Sequence, residues 1–586
     1  MKKGLIFIYM LPPLLLGACQ QNIAGEDDAI YGHYDSQLKV GGKDFRISKA
    51  PFYTDNPSNN YNRYKECDFT FGWFIDTPLT IYTPFKESLN YLFPNQVNEE
   101  IKNNQITYKC PDDLTFILDF SNQTITAQNY DQINLFSKKY DTQLGMIDEK
   151  TTTYYVDGSA SYYVGGEDVV FDLNKYSLNM FKVGNQGYVD FHVVNTITFN
   201  YAMWSSVNFN GDGFYYLNML NGTCGLSYTN NIYNSKFYNS ERYKKINVRS
   251  YEYFRENNYQ SFMFQLDHFY GFRDEKMVPF DDYLNENYPE VVTRLKSDDE
   301  TTYCQGVEYL INYVIGDGHT NAGNTSSFNG NGRFSRLNVY SDREIQLSNN
   351  YYRYSRARSS ALGNNFDQVR YSGETAIISF DSFDHYGVKF NEYNAMNYAS
   401  SDGFSLFYDS FQQIEKHGGI NNIIFDITCN GGGDTNALIP MLGFLNRTVK
   451  MTVYSSLSKL TAHLSYDIDT NLDGVYDDND GFQGQYNFYI LTSHYSFSCA
   501  NLFPQTAKEM GIAKIIGEQS GGGACVVYYT ATPDGKTYRI SSDMRDGDPL
   551  NPSHHNDAGI PVDYELDSSY FYDDVYLNNF VTGLSA

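Results

Sequence analysis

Beyond residue 371 the sequence alternates short apolar runs with segments of helical periodicity. The pattern predicts strands at 375–380, 422–427, 488–491 and 513–516, and helices at 403–417 and 499–510. Strands that alternate with helices are typical of a mainly parallel sheet, because parallel neighbours need a long crossover connection. The sequence therefore predicts an α/β core over residues 371–586.

The first 240 residues follow a different pattern. Short runs of Tyr, Phe, Ile and Thr, separated by Asn, Asp, Gly and Pro, predict a β-rich module at 19–145 and a second at 146–240. The 55 Tyr and 41 Phe of the chain also favour strands. Helical spacing of apolar residues at 307, 310, 311 and 314 predicts a helical segment at 241–370. A chain of 586 residues is too long for one hydrophobic core, in agreement with several domains.

The start of the chain has the pattern of an export signal. Lys2 and Lys3 precede an apolar run over 5–16, which is too short to span a bilayer. The run ends in Leu-Gly-Ala-Cys19, which resembles the lipobox of bacterial lipoproteins. This resemblance implies a signal peptide at 1–18, a lipid on Cys19, and a mature protein anchored outside the cytoplasmic membrane. The alternative is an ordinary secretory signal with a chance cysteine.

The chain is strongly acidic. Its 43 Lys plus Arg against 70 Asp plus Glu give a formal net charge of −27. Nucleic acid is not expected as a partner, because phosphate binding needs a basic patch and no such patch is visible in the sequence. The cysteines after Cys19 are too sparse for a disulfide framework and lack zinc-site spacing, although Cys67 and Cys110 form a candidate pair.

Three short segments contain the candidate functional residues. The first is Gly-Asp-Gly-His319-Thr, directly after a predicted helix. The glycines end the helix, and one imidazole at a helix terminus suits a general base. A single histidine in such a place is more often structural.

The second and third segments each follow a predicted core strand. Residues 426–434 contain Asn-Gly431-Gly432-Gly-Asp, where backbone N–H groups can point into a cleft and hold an oxyanion; a tight connection is the alternative. Residues 495–501 contain Ser-Phe-Ser498-Cys499-Ala before a predicted helix. A serine at that junction suits a nucleophile, because the helix dipole stabilises negative charge, but it also suits a helix N-cap.

Together with Gly-Glu518 and the segment Gly559-Ile-Pro-Val-Asp563, these motifs resemble the C-terminal processing peptidases, a family of serine peptidases. The match is closer to the branch typified by the tricorn core and covers about residues 254–566. The resemblance implies the α/β fold shared by ClpP and crotonase. It also implies hydrolysis of a peptide or protein substrate without a required cofactor.

The resemblance assigns roles to individual positions. Ser498 falls on the nucleophile, His319 on the base of the tricorn-type branch, and Cys499 with Gly431 or Gly432 on the oxyanion donors. The lysine base of the processing-peptidase branch falls on Gly523, so that mechanism is not expected. The glutamate that orients the histidine falls on Asn556, which can hold an imidazole but supplies no charge. Asp557 and, more remotely, Glu518 are alternatives, and the family's PDZ module is not expected.

One acidic loop within the core resembles an EF-hand calcium loop. Its oxygen-bearing side chains at loop positions 1, 3, 5, 9 and 12 are Asp469, Asn471, Asp473, Asp477 and Asp480, with Gly at position 6. Asp stands where the bidentate Glu is usual. The sequence is therefore compatible both with a structural calcium site and with an exposed acidic hairpin.

These observations predict a lipid-anchored serine endopeptidase located outside the cytoplasmic membrane. The first alternative is a binding protein that keeps this fold without turnover, because the orienting acid is replaced. An esterase of the α/β-hydrolase kind is a weaker alternative, because Ser498 lacks a G-x-S-x-G motif.

Overall fold

The structure of the chain is a computed structural model. It describes residues 28–31, 33–56, 59–133, 155–203, 206–217, 243, 246–276, 279–323, 337–385 and 402–585. Cys19 and the predicted signal peptide lie outside the described residues. None of the helices within the described ranges is long and apolar enough to cross a membrane.

The strands are as follows in chain order: β1 Ser36–Val40, β2 Lys43–Asn56, β3 Asn59–Phe74, β4 Ile81–Pro84, β5 Asn98–Lys102, β6 Gln105–Lys109, β7 Thr115–Asp119, β8 Thr124–Gln128, β9 Val156–Asp157, β10 Tyr162–Gly165, β11 Val169–Asp172, β12 Met180–Val183, β13 Gln186–Asp190, β14 Ser206–Phe209, β15 Phe214–Leu217, β16 Asn321–Ala322, β17 Val369–Ser372, β18 Thr375–Ser379, β19 Asn422–Asp426, β20 Thr448–Ser455, β21 Leu460–Ile468, β22 Asn487–Thr492, β23 Lys514–Gly517, β24 Cys525–Ala531, β25 Thr537–Asp546 and β26 Tyr564–Glu565.

The α-helices are α1 Asp28–Tyr31, α2 Phe85–Leu92, α3 Phe191–Val194, α4 Tyr201–Met203, α5 Glu252–Phe269, α6 Arg273–Lys276, α7 Phe280–Asn287, α8 Pro289–Leu295, α9 Glu300–Glu308, α10 Asp342–Leu362, α11 Gly403–His417, α12 Thr435–Leu445, α13 Cys499–Glu509 and α14 Asp574–Ser585. Single turns of 3-10 helix lie at Pro111–Asp113, Leu173–Tyr176, Val248–Ser250 and Ser568–Tyr570. Stretches of π-helix lie at Asn195–Asn200 and Tyr309–Ile315, and the second of these continues α9.

The C-terminal core is a six-stranded sheet in the order β17-β18-β19-β22-β23-β26. Neighbouring strands from β18 to β26 are parallel, and β17 is antiparallel to β18. The predicted fold class, an α/β core with a helical segment and a β-rich N-terminal region, is confirmed. The helices predicted at 403–417 and 499–510 are found as α11 and α13.

Both faces of this sheet are buried, which explains why its strands are continuously apolar. In β19, Ile423 and Phe425 pack into the cluster that contains residues of α11, α12 and α13. Ile424 points the other way and packs with residues of α14, including Leu577. Successive side chains of a strand alternate between faces, so one five-residue strand serves two hydrophobic cores.

The N-terminal strands form two sheets that mix the two predicted β-rich modules. One sheet runs β12-β13-β4-β3-β2-β15-β14 with β1 beside β2, and the other runs β11-β8-β7-β6-β5. Strands before and after residue 145 pair directly, as β13 does with β4 and β11 with β8. The predicted boundary at 145/146 therefore does not divide one sheet from another.

A further sheet joins this N-terminal region and the helical segment to the core. It runs β10-β21-β20-β25-β16, with β9 beside β21 and β24 beside β25. Short β16, directly after the segment of His319, pairs with β25. Residues far apart in sequence therefore meet at the edge of the core.

The helical segment forms as the spacing of apolar residues predicts. α5 and α9 both lie within the predicted helical segment 241–370, and α9 follows the N-cap residue Asp299, whose carboxylate accepts the N–H of Thr302 at 2.8 Å. Its π-helical continuation ends at Gly316, which has a φ of 42°. Cys67 and Cys110 both carry thiols, so the candidate disulfide between them is not formed.

A fully buried ion pair fastens the helical segment to the hairpin of β24 and β25. Arg249 Nη1 lies 2.7 Å from Asp534 Oδ2, and both side chains are 0% exposed. The guanidinium also stacks over the ring of Tyr303 at 3.6 Å, and the Tyr303 hydroxyl donates to Asp534 Oδ1 at 2.7 Å. The pair is satisfied only while both partners are present.

We expect Asp534→Ala to destabilise the protein by about 3–5 kcal/mol, because it leaves a buried guanidinium without its counter-charge. The measurement is the midpoint of thermal unfolding. Asp76→Ala is the control, since Asp76 pairs with Lys43 at 2.7 Å on the surface, with side chains 52% and 63% exposed. Equal midpoints for the two variants would show that the buried pair contributes no more than the surface pair.

Candidate active site

Ser498 lies at the carboxyl end of the core sheet, between β22 and α13. Its φ of 58° and ψ of −120° lie outside the favoured regions for a residue with a side chain, at a cost of about 1–3 kcal/mol. It is the N-cap residue of α13, yet its side chain makes no capping hydrogen bond. The hydroxyl therefore does not serve the structural role that a serine usually has at this position.

The other serine of the motif is structural. Ser496 is 0% exposed; its hydroxyl donates to the carbonyl of Ile427 at 2.8 Å and accepts the N–H of Ser493 at 3.0 Å. Ser498 is partly exposed, and its N–H donates to the carbonyl of Gly522 at 2.8 Å. Of the two serines, Ser498 is the one with an accessible hydroxyl.

The glycine turn after β19 lies against Ser498. Gly432 has a φ of 110°, and a Cβ placed there would come within 2.7 Å of the Ser498 Cβ and 3.1 Å of the Cys499 nitrogen. Only a glycine allows this approach of the two backbones. The second and third motifs predicted from the sequence are therefore brought together.

The N–H groups of this turn are not equivalent. The Gly432 N–H donates to Asn430 Oδ1 at 2.8 Å and is occupied. The N–H groups of Gly431 and Cys499 have no acceptor in the part of the chain that the structure describes. Of the predicted oxyanion donors, Gly431 and Cys499 therefore remain available, and Gly432 shapes the turn.

The loop of His319 is held by its own side chains. Asp317 Oδ1 accepts the N–H groups of His319 and Thr320, each at 3.0 Å, and the Thr320 hydroxyl accepts the N–H of Asp317 at 3.2 Å. His319 itself is only 4% exposed. The loop therefore presents the imidazole to the protein interior.

The imidazole of His319 packs on the residue that precedes Ser498. Its ring centroid lies 4.7 Å from that of Phe497, and Nδ1 is 3.5 Å from the hydroxyl of Ser541 on β25. Nε2 is buried and makes no hydrogen bond, so it is not yet bonded to the hydroxyl of Ser498. The structure brings the two segments into contact, and proton transfer between them stays a prediction.

Burial lowers the pKa of His319 to about 4. The carboxylates of Asp317 and Asp557 oppose this shift, while Arg539 and Arg343 reinforce it. Taking a charged imidazole out of water is costly, so the ring is neutral at pH 7. A neutral imidazole can accept a proton, as a general base must.

None of the three predicted orienting residues hydrogen-bonds to His319 in this structure. Asn556 contributes its carbonyl, which accepts from Asn501 Nδ2 at 3.3 Å. Asp557 Oδ2 lies 2.5 Å from Arg343 Nη1. The carboxylate of Glu518 accepts the hydroxyl of Tyr354. The hydrogen-bond neighbour of Nδ1 is instead Ser541, for which the sequence contains no recognisable signal.

The position of the family's lysine has no room for a side chain. Gly523 has a φ of 92°, and a Cβ there would lie 2.8 Å from the ring of Phe497 and 2.9 Å from the nitrogen of Ser498. Phe497, which contacts His319, therefore occupies the space. Cys499 is also unsuited to be the nucleophile, because burial raises the pKa of its thiol and its Sγ donates to the carbonyl of Gly433 at 3.2 Å.

The acidic loop predicted to bind calcium is closed by its own backbone. Asp469 Oδ1 accepts the N–H of Leu472 at 2.6 Å, and Asp469 Oδ2 accepts that of Gly474 at 2.8 Å. Asp480 Oδ1 accepts the N–H of Thr470 at 2.8 Å. No group of three acidic, His or Cys side chains in the described ranges could hold a metal ion. Calcium binding stays a prediction.

An accessible serine at the tip of a parallel sheet, with an imidazole and unoccupied backbone N–H groups around it, is an arrangement typical of serine hydrolases. Residues 375–564 match the model of peptidase family S41. This part of the chain is therefore an S41 peptidase domain. The resemblance to the C-terminal processing peptidases is thereby confirmed.

Several solved structures are similar to this chain at low identity. A putative peptidase from Parabacteroides merdae is 17% identical, covering 57% of this chain and 97% of its own, with a TM-score of 0.40. The photosystem II D1 C-terminal processing protease is 15% identical over 35% of this chain and 49% of its own, with a TM-score of 0.26. The tricorn protease is 14% identical over 41% and 19%, with a TM-score of 0.23. No curated protein matches the sequence.

We expect Gly432→Ala to abolish labelling of Ser498 by a fluorophosphonate, a probe that reacts with activated serines. The added methyl would displace the Ser498 side chain, with which it cannot share the space. Gly418→Ala is the matched control, because Gly418 also has a positive φ, of 70°, but a methyl added there would meet no atom within 4 Å. Equal labelling of both variants would contradict the close approach of the turn.

Proposed function

We propose that the protein is an endopeptidase in which Ser498 is the nucleophile and His319 the general base. The observation that carries the proposal is the state of the Ser498 side chain. Ser498 has a strained backbone conformation and is partly exposed, and its hydroxyl makes no capping hydrogen bond to α13. Strain at a functional position is retained when it presents a reactive group.

The proposed reaction uses the groups around Ser498 in turn. His319 Nε2 removes the hydroxyl proton as Oγ attacks the peptide carbonyl. The N–H groups of Cys499 and Gly431 hold the resulting oxyanion. The imidazolium then gives its proton to the leaving amine, and water hydrolyses the acyl-enzyme with His319 as base. Nε2 must come within hydrogen-bond reach of Oγ when substrate binds, as apo sites often require.

We expect fluorophosphonate labelling of the wild-type protein that is lost in Ser498→Ala and falls by about a hundredfold or more in His319→Ala, because an alcohol is a weak nucleophile without its base. Labelling rates are measured by fluorescence in gels, with thermal unfolding as the check on folding. Ser496→Ala would remove structural hydrogen bonds and so is unsuitable as a control; Ser553→Ala, at an exposed loop position, is suitable.

A folded wild-type protein that takes no label would contradict the peptidase proposal. It would favour a binding protein that keeps the peptidase fold. Cleavage of a denatured protein substrate by the wild type, absent in Ser498→Ala, would distinguish peptide hydrolysis from other serine chemistry.

We further propose that the protein is a lipoprotein anchored outside the cytoplasmic membrane through Cys19. Support comes from the basic start, the short apolar run and the Leu-Gly-Ala-Cys motif. One acyl chain binds a membrane only weakly. Stable attachment therefore needs the several acyl chains that a bacterial lipoprotein carries on its cysteine.

We expect Cys19→Ala to abolish incorporation of a clickable fatty acid and to move the protein from the membrane fraction to the soluble fraction of a bacterial host. Cys67→Ala is the control, because Cys67 lies within strand β3 and not in the signal. Fatty-acid incorporation that persists in Cys19→Ala would contradict the proposed anchor.

A further inference from the structure

The first turns of α10 connect the loop of His319 to the core. Ser341, the N-cap residue, donates its hydroxyl to the carbonyl of Gly316 at 2.6 Å, and its N–H donates to the carbonyl of Asn312 at 3.0 Å. Ser341 and Glu344 form a capping box, which fixes the direction in which the helix starts. The helix is therefore bonded at its start to the segment that carries the base.

Within the first turn, Arg343 bonds the same helix to the core. Its Nη1 lies 2.5 Å from Asp557 Oδ2, and its Nη2 lies 3.3 Å from Oδ1 and 2.7 Å from the backbone carbonyl of Asp557. Nη2 also lies 3.4 Å from the carbonyl of Gly521, and the guanidinium stands over the ring of Phe497 at 5.7 Å. A planar fork with several donors can hold a carboxylate and a backbone carbonyl together.

The inward face of α10 continues this contact at helical spacing. A methyl on Gly318, beside His319, would lie 3.1 Å from Leu347, and one on Gly521 would also lie 3.1 Å from Leu347. Tyr351 packs on Tyr495, which precedes the serine motif, at 5.1 Å between ring centroids. Positions 343, 347 and 351 are each four residues apart, so one helix face covers both halves of the site.

Asp557 is held on its other side by the core. Its Oδ1 accepts the N–H of Ala524 at 3.3 Å, and its carboxylate is only 13% exposed. The negative charge of Asp557 stabilises the protonated imidazole of His319 and so opposes the fall in the pKa of that ring. Arg343 thus touches Asp557 and Phe497, both neighbours of the imidazole, without bonding to the imidazole.

We propose that Arg343 is a positioning residue for the proposed hydrolysis. By clamping Asp557 to α10, it fixes the loop of His319 against the core strand that presents Ser498, and it balances the carboxylate charge beside the imidazole. The inference rests on the proposed function. It adds a residue that acts through Asp557 and does not touch the substrate.

The test compares rates of fluorophosphonate labelling in Arg343→Gln, Asp557→Asn and the double variant. We expect each single change to lower the maximal labelling rate by about tenfold or more, while the half-saturating probe concentration changes less than about twofold, because positioning affects the reaction more than binding. The double variant is expected to react no more slowly than Asp557→Asn, since contacting residues that act as one unit are not additive.

Arg353→Gln is the matched control. Arg353 lies on the same helix with its side chain 55% exposed, and its nearest carboxylate, on Glu518, is 3.7 Å away. We expect its labelling rate to stay within about twofold of the wild type, as for other surface ion pairs. Arg343→Lys keeps the charge but loses the fork, so an intermediate rate is expected, and this variant decides the question if Arg343→Gln does not fold.

The acid limb of the pH–rate profile separates an effect of charge from a loss of packing, because looser packing would expose the imidazole and raise its pKa in both variants. Removing Arg343 takes a positive charge from the surroundings of His319 and raises its pKa, whereas removing the Asp557 charge lowers it, so the two midpoints should move in opposite directions. Burial raises the pKa of Glu344 to about 7 and that of Asp546 to about 8. Both carboxyl groups therefore titrate at higher pH than His319, whose pKa is about 4. The charges of Asp317 or Asp557 also interact with three other titratable groups, which are Tyr270, Cys525 and His555. The remaining charged group that interacts with His319 is Arg539.

The outcomes separate this inference from the proposed function. If Arg343→Gln and Arg343→Lys are labelled at the same rate as the wild type, the positioning role is overturned. The peptidase proposal is then left intact. Additive losses in the double variant, or midpoints that move in the same direction, would also overturn it. A wild type that takes no label would instead remove the proposed function on which the inference rests.

Discussion

The contact between the imidazole of His319 and the ring of Phe497 is the interaction on which the site depends. It joins a loop at the end of a helical segment to the turn that presents Ser498, across a separation that no local structure bridges. The π-helical end of α9, the Asp317 turn and the pairing of β16 with β25 all hold the histidine side of this contact. The core sheet and the glycine turn at Gly432 hold the other side.

The same ring leaves no room for a side chain at position 523, where the resemblance places the lysine of the processing-peptidase branch. Phe497 fills the space that a side chain at position 523 would need, and a bulky ring there also provides an apolar surface for the imidazole. An apolar surface disfavours the charged ring, so His319 is kept neutral without a bonded acid. The charges of Asp557 and Asp317 act on it from a distance and oppose the fall in its pKa.

Much of the core could be predicted from the sequence, because its strands and helices are specified by local periodicity. The continuous apolar run of β19 and the amphipathic pattern of α11 appear within a few residues of the observed bounds. The glycine and serine turns were predictable as neighbours, because the carboxyl ends of parallel strands meet at one edge. Arg343 and Ser541 could not be predicted, since their contacts with the site depend on tertiary packing. For the same reason the sequence does not predict how the N-terminal strands pair, because alternation shows that a strand exists but not which strand lies beside it.

The mixing of distant strands has a consequence for biosynthesis. Ser161, beside β10, donates its hydroxyl to the carbonyl of Ser465, 304 residues later, and β10 pairs with β21. A growing polypeptide must therefore wait for most of its length before these edges close, and high contact order slows folding in general. Until then the early strands expose unpaired edges that invite aggregation. Protection of the early strand β10 therefore depends on residues that are synthesised in the last third of the chain.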